Sequence, residues 1–536
     1  MDSNLLTRDK ATLETYSTDA SLFKIEPEAV AFPKDAEELK KLVAYAKEHK
    51  SSLTMRAAGT DMSGGPLNTG IIADTTRFMN RIGEITRGDK GLSSVTVEPG
   101  AFYRDFEKKT LAQGLLLPCY PASKDLAALG GMVGNNCGGE LSLRYGKMEN
   151  FVIESKYIFS DGNEYVVKPL TGSELDAKMA EDTFEGRLYR DLVTLIWHNK
   201  EVIKAAKPNV SKNSAGYFLW NAWDGRTFDL NKILTGAQGT LGLMTEATLS
   251  LVPQKTHHDL IAVFLSSWDT LPKVVNAILP HQPESLETFD KETIKLGLRF
   301  FPEIARKAHT NIFSFLFKFL PEALLGLRMG GLPEIIILIE IAEASPQEVE
   351  GKREALLKTL SDLNVLHRSI TKDSEEEKFW IVRRESFNLL RHHASGKRTV
   401  PLIDDFCIPP ERVPEALPEM KALLEKYGIK VNIAGHAGEG NFHIIPLMDL
   451  TLASEREKLL PVANAFYDLV AKYKGTTTGE HNDGIVRTPF LSKIYSPEVL
   501  DLFTQVKNIF DPENIFNPGK KVNGSLTDFE RYLTNR

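Results

Sequence analysis

The chain has 536 residues, more than one hydrophobic core usually organises, so two or three domains are expected. Hydrophobic residues make up 42% and charged residues 26%, which excludes a disordered, collagen-like or coiled-coil protein. Lys+Arg 65 against Asp+Glu 72 leaves a net charge of −7, and with no basic tract this argues against nucleic acid as the main partner.

Three cysteines, Cys119, Cys137 and Cys407, build no disulfide framework and point to a reducing compartment. They also fall short of the four thiolates that an iron–sulfur cluster normally takes. The amino terminus mixes Asp2, Arg8, Asp9 and Lys10 with no apolar core behind it, so no signal peptide is expected. No apolar run approaches the roughly 20 residues that span a bilayer. The expected location is the cytoplasm, with a peripheral place on the inner face of a membrane as the variant.

In chain order, Asp35 to His49 puts Leu39, Leu42, Val43 and Ala46 on one helical stripe, with Asp35 placed to cap it. A strand follows, Leu53 to Arg56, then a glycine-rich segment from Ala57 to Gly65. Further glycine-dense runs are Gly130 to Gly139 and Gly236 to Gly242. After Pro253 the texture changes. Strand-like runs (Leu260 to Leu265, Ile335 to Ile341, Val400 to Cys407, Ile429 to Ala434, Phe442 to Leu447) alternate with helical ones, Arg412 to Tyr427 and Ser454 to Tyr473. This is an α+β pattern with a boundary near 255: residues 1–255 as one domain, 256–500 as a second, and 501–536 packing back on the first. Within the second, residues 312–329 read either as a helical hairpin in a core or as a surface that dips into a membrane interface.

Glycine lets a ligand approach the backbone closely, so exposed amides can cradle phosphate oxygens. One such cluster is as well read as a plain tight turn. The Gly-x-Gly-x-x-Gly fingerprint is missing from its usual strand-to-helix place and there is no Walker lysine. Three clusters in one domain favour a long ligand lying across several loops. In the second half, His436 and His443 stand seven apart around Gly438 and Gly440, and Glu480 precedes His481. Two imidazoles and a carboxylate make a ligand set for Zn²⁺, Fe²⁺ or Mn²⁺ with open positions; the plainer reading is structural histidines.

Six separated segments carry a resemblance. They are Phe32-Pro33, Arg56-Ala57-Ala58-Gly59-Thr60, Pro121-Ala122-Ser123, Gly130 to Gly139, Lys212-Asn213-Ser214-Ala215-Gly216-Tyr217 and Gly236 to Thr245. In this order the chain resembles the vanillyl-alcohol-oxidase superfamily with its two-part PCMH-type FAD-binding domain. The resemblance implies an α+β fold: that domain, a cap domain on a ferredoxin-like sheet, and a C-terminal return. It places the pyrophosphate on Arg56, Ala57, Ala58, Gly59, Thr60, Asp61, Ser63 and Gly64. It assigns the rest of the cofactor to Pro121, Ala122, Ser123, Gly130, Gly131, Gly134, Asn135, Asn136, Gly138, Gly139, Gly239, Gly242 and Asn517, with Glu246 by the adenine. Many members tether flavin through a histidine in the first loop; Asp61 follows Gly59-Thr60 here, which implies non-covalent FAD.

The histidine and glutamate segments resemble the D-2-hydroxyacid dehydrogenase branch (D-lactate, D-2-hydroxyglutarate and glycolate enzymes). That resemblance implies His436, His443 and Glu480 as ligands of Zn or Mn, and His481 as catalytic base. Trp380 to Glu385 looks like the segment supplying a guanidinium for the substrate carboxylate, with Arg384 first, Arg383 as fallback and Arg487 as a second clamp. Two departures stand out: Asn482 where the family usually has glycine, and Pro401 to Asp405 where some relatives have a lysine. The second favours a small or hydrophobic 2-hydroxy acid, D-lactate first, with electrons leaving to a quinone, a cytochrome or an electron-transfer flavoprotein. The competing expectations are a redox-neutral alkyl-transferase of the ether-lipid synthase type and a non-catalytic flavin-binding subunit.

Overall fold

The computed structural model describes residues 5–88, 92–300, 302–303, 325, 328–372, 375–376, 378–383 and 397–534. Besides a small two-stranded pair, Leu170–Thr171 with Thr227–Phe228, the first part holds two larger sheets among the described residues. In one, Ala29–Ala31 and Leu53–Arg56 run parallel on either side of Ile71–Asp74, and Leu6–Thr7 pairs antiparallel at the edge. In the other, the long strand Leu243–Pro253 lies between Ser93–Val97 and Val152–Ile158, antiparallel to both. The helix Ala36–Glu48 forms as its sequence dictates. Asp35 accepts the Glu38 amide at 2.9 Å, and Leu39, Leu42, Val43 and Ala46 are buried. Those side chains join Leu53, Ile71, Ile158, Leu243 and Phe516 in one core between the sheets.

The second part is an eight-stranded sheet, antiparallel at every pairing among the described residues. Its order is Leu366–Ile370, His257–Leu265, Ile335–Glu343, Ser285–Asp290, Val431–His436, Asn441–Met448, Arg398–Thr399, with Phe406–Cys407 also on Asn441–Met448. Ile335, Ile337, Ile339 and Ile341 face a core shared with the helices Pro346–Asp362, Val413–Lys426 and Leu459–Lys472. Ile336 and Leu338 face the other side with Leu260, Phe264, Phe289 and Ala434. Burial on both faces explains the apolar run Ile335 to Ile339 that opens the strand Ile335–Glu343.

Two expectations need correction. Val400 to Cys407 is no continuous strand: only Phe406–Cys407 pairs, while Pro401 offers no amide and Asp404 and Asp405 turn inward to make side-chain bonds. Ser454 to Tyr473 is two helices, Ala453–Arg456 and Leu459–Lys472, because Pro461 in the first turn of the second cannot continue the first. Most of the 312–329 stretch lies outside the described residues; Leu325 and Met329 pack beside Phe264 and Phe289. No helix among the described residues is long and apolar enough to cross a membrane.

The chain then returns to the first part. Pro497–Phe510 buries Leu502, Phe503 and Val506 in its large core. Asn517 donates from Nδ2 to the carbonyls of Gly65 at 2.9 Å and Gln238 at 2.7 Å.

Candidate active site

The three glycine clusters and Asn517 come together as one wall. Gly59 has φ +68°, which favours glycine, and a Cβ there would displace the Arg56 guanidinium. That guanidinium donates to the carbonyls of Thr18 (2.8 Å) and Tyr16 (3.3 Å) and lies over the Tyr16 ring. A Cβ on Gly131 would meet Ala57 at 3.3 Å, joining the second cluster to the first. Gln238 donates to Asn135 Oδ1 (3.2 Å) and Ser63 Oγ (3.3 Å), and its amide reaches the Gly134 carbonyl, joining the third. Gly139 abuts the Tyr120 carbonyl and Pro121. Gly242 has a packing role, since a Cβ there would sit 2.9 Å from the Phe159 ring. Glu246 pairs with Arg81 at 2.7 Å and Lys156 at 2.6 Å. The Asp61 carboxylate takes the amides of Ser63 (3.1 Å) and Gly65 (2.5 Å), ordering the first loop. Loop amides and glycine approaches of this kind fit an extended dinucleotide.

The second wall is the sheet. Glu287 pairs with His436, and Phe289 with Ala434, which pairs with His443, so neighbouring strands put these side chains on one face. His436 Nε2 and His443 Nε2 each lie 3.4 Å from Glu480 Oε1, and His481 Nε2 lies 3.9 Å from it. The far nitrogens are all occupied. His436 Nδ1 meets Glu287 Oε1 at 2.5 Å, His443 Nδ1 meets the Asp404 carbonyl at 3.0 Å, and His481 Nδ1 meets Asp404 Oδ2 at 3.2 Å. Such outer contacts orient the Nε2 lone pairs inward.

Charge follows from these contacts. Burial opposes the charge of Glu480, yet Lys212 and His436 hold its carboxyl well below the usual range. Burial would also lower His436, but Glu287 and Glu480 raise it to about 9, whereas burial keeps His443 below its ordinary value. The pocket therefore calls for a positive charge at Glu480 Oε1, which a proton on His436 or a metal ion supplies. His436, His443 and Glu480 fit a divalent ion with positions left open. Ligand atoms of Asp405, His443, Glu480 and His481 lie within 4.8 Å of one another, a grouping that takes in His481 and leaves out His436, but the Asp405 carboxylate is spent on the amides of Glu480 (2.9 Å) and His481 (2.7 Å), Thr478 Oγ1 and Asn441 Nδ2. Asp405 shapes the loop and makes a poor ligand.

The arginines separate. Arg487 is fully buried, pairs with Asp404 Oδ1 and donates to the Asn482 carbonyl, so it positions Asp404 under His481 and is no substrate clamp. Arg383 donates to Glu287 Oε2 at 3.0 Å, behind His436. Arg384 lies outside the described residues. Glu287, Asp404, Asp405, Lys212 and Glu439 escaped sequence reasoning. The strand Ser285–Asp290 is wholly buried but has only Leu286 and Phe289 as apolar residues, so no local pattern marked Glu287 as an inward-facing charge. The Gly130–Gly139 loop meets the cluster directly, since a Cβ on Gly138 would sit 3.4 Å from Glu480 Oε2.

Residues 254–521 match the family model for FAD linked oxidases, C-terminal domain, and residues 27–168 match the FAD binding domain. The chain belongs to the FAD-linked oxidase family. It is 28% identical over 524 residues to the D-2-hydroxyglutarate dehydrogenase of Pseudomonas putida, covering 96% of this chain and 50% of that protein. The chain thus spans about half the length of this curated relative. It is 25% identical to the D-lactate dehydrogenase of Archaeoglobus fulgidus, covering 92% and 91%. Among solved structures, p-cresol methylhydroxylase with substrate bound aligns at a TM-score of 0.66 and 15% identity, over 97% of this chain and 94% of that one. That likeness establishes the shared two-part fold.

Proposed function

We propose that the chain oxidises a D-2-hydroxy acid to its 2-oxo acid, with FAD held non-covalently and Zn²⁺ or Mn²⁺ held by His436, His443 and Glu480. The observation that carries this reading is the convergence of three imidazole Nε2 atoms on Glu480 Oε1, beside the Gly130–Gly139 loop. When bound, FAD accepts the Cα hydride and the ion lowers the pKa of the hydroxyl it chelates. His481 takes the hydroxyl proton at Nε2. Burial would depress this imidazole, but Asp405 and Asp404 hold it up to about 9, which stabilises the imidazolium formed when it takes the proton; the free base that starts the reaction gains population as pH rises toward 9. Asp404 fixes the ring by its hydrogen bond to Nδ1, and Arg487 fixes Asp404. Arg384 remains the proposed partner of the substrate carboxylate, since Arg383 and Arg487 face carboxylates of the chain itself.

D-2-hydroxyglutarate becomes the first substrate choice, ahead of the D-lactate expected from Pro401 to Asp405, because the relative at 28% identity is named for it. Reoxidation falls to an external acceptor such as a quinone, a cytochrome or an electron-transfer flavoprotein. The test is anaerobic mixing with the D and L forms of 2-hydroxyglutarate and lactate while following the flavin band. The D forms should bleach it. In H481A the bleaching should slow by about 10²–10⁴-fold with FAD retained; unimpaired bleaching would remove His481 from the role of base. Treatment with EDTA should stop substrate-dependent bleaching while leaving FAD in place, and added Zn²⁺ or Mn²⁺ should restore it. Full activity in chelated protein with no bound metal by mass spectrometry would reassign the histidines as structural.

A further inference from the structure

Lys212 comes from the loop of the first part that precedes Ala215, yet its ammonium lies inside the histidine and glutamate cluster. It is completely buried, 3.0 Å from Glu480 Oε2 and 3.0 Å from Glu439 Oε2. It also approaches the Gly139 carbonyl at 3.3 Å and Asn441 Oδ1 at 3.5 Å. Glu439 lies in the turn between His436 and His443, and its carbonyl is held by Ser211 Oγ at 3.0 Å, next to Lys212. The two oxygens of Glu480 are therefore divided. Oε1 faces three imidazoles and Oε2 faces the ammonium.

We propose that Lys212 is a positioning residue that withholds one carboxylate oxygen of Glu480 from the metal ion, so that Glu480 binds through Oε1 alone. This inference rests on the metal reading above. A carboxylate free to rotate can take two positions on a divalent ion. Held by one oxygen it takes a single position, and the positions left are those a 2-hydroxy acid needs for its hydroxyl and carboxylate oxygens. Glu439 shares the ammonium and keeps the buried group of charges balanced.

The test uses the full chain with FAD bound and Co²⁺ as the spectroscopic metal, comparing wild type, E480Q and K212M/E439Q; the double variant removes both buried charges together. Wild type should take up one Co²⁺ per chain and E480Q should lose it. K212M/E439Q should keep the ion and FAD, shift the Co²⁺ visible bands, and bind an unreactive 2-hydroxy-acid analogue at least tenfold more weakly. Unchanged bands with unchanged analogue affinity would overturn the role of Lys212 and leave the metal reading intact. So would a double variant that retains FAD but binds no ion, because Lys212 would then be needed for uptake itself. Absence of stoichiometric metal in wild type would instead sink the metal reading. A crystal structure of wild type soaked with Mn²⁺ checks the point without any variant: one Glu480 oxygen on the ion is expected, and both would refute the proposal.

Discussion

Glu340 lies opposite Ser285 in the sheet, and Ser285 Oγ donates to its carboxylate at 2.8 Å. Burial, then Glu140, Glu376 and Glu284 nearby, push its carboxyl up to about 8 although the serine bond favours the charged form. A folded-state value above the unfolded one, about 4.3, means the folded chain holds the extra proton. Its stabilising share is complete below the unfolded value and is lost as pH rises toward 8. Glu340→Gln should therefore gain thermal stability over wild type progressively from pH 5 to pH 8, with no further gain above; a Tm difference that stays constant with pH would refute this. The three residues proposed to hold the ion stood out in the sequence, because two histidines around a glycine turn and a Glu-His pair are local patterns. Asp405 was not. It works through bonds to the amides of Glu480 and His481, and nothing near it in the chain announces such distant partners.

The hairpin that carries His436 and His443 depends on Gly440, at φ +68°, where any Cβ would overlap the Ile408 carbonyl oxygen. Strand Val431–His436 and strand Asn441–Met448 meet there through the short turn Ala437–Glu439. Gly440→Ala should cost at least 1–3 kcal/mol, the cost of holding a residue in a sparsely populated φ/ψ region, before the clash is counted. It should also abolish stoichiometric metal uptake. Ser345→Ala is the control: it removes the cap of the distant helix Pro346–Asp362 and should cost about 1 kcal/mol with uptake intact. A G440A protein that melts and binds metal like wild type would show the turn to be tolerant. At this scale the strands with uninterrupted apolar runs were readable because both faces of the sheet are covered. Val400 to Cys407 misled for the same reason: its apolar residues are buried, but they line a turn whose aspartates serve the loop of Glu480 and His481.

The two parts of the molecule are also joined by the last helix. Phe529 of Leu526–Tyr532 meets Phe23 edge to face, ring centroids 5.3 Å apart, within the core of the second part. Phe23 in turn lies against Gly64, at φ +82°, where an added Cβ would sit 2.8 Å from its ring. Gly64 belongs to the loop proposed to wrap the pyrophosphate, so the aromatic pair forms the floor of that loop. Phe529→Ala should cost about 3–5 kcal/mol by cavity formation. It should weaken FAD retention as well, because Phe23 loses the ring that holds it under Gly64. Ser345→Ala, combined with other remote cap deletions until the melting points match, separates the two effects. At equal Tm, F529A should release FAD at least several-fold faster on dilution, read by the recovery of free-flavin fluorescence. Equal release rates at equal Tm would mean that the terminal helix contributes only stability and that the loop keeps its shape without it.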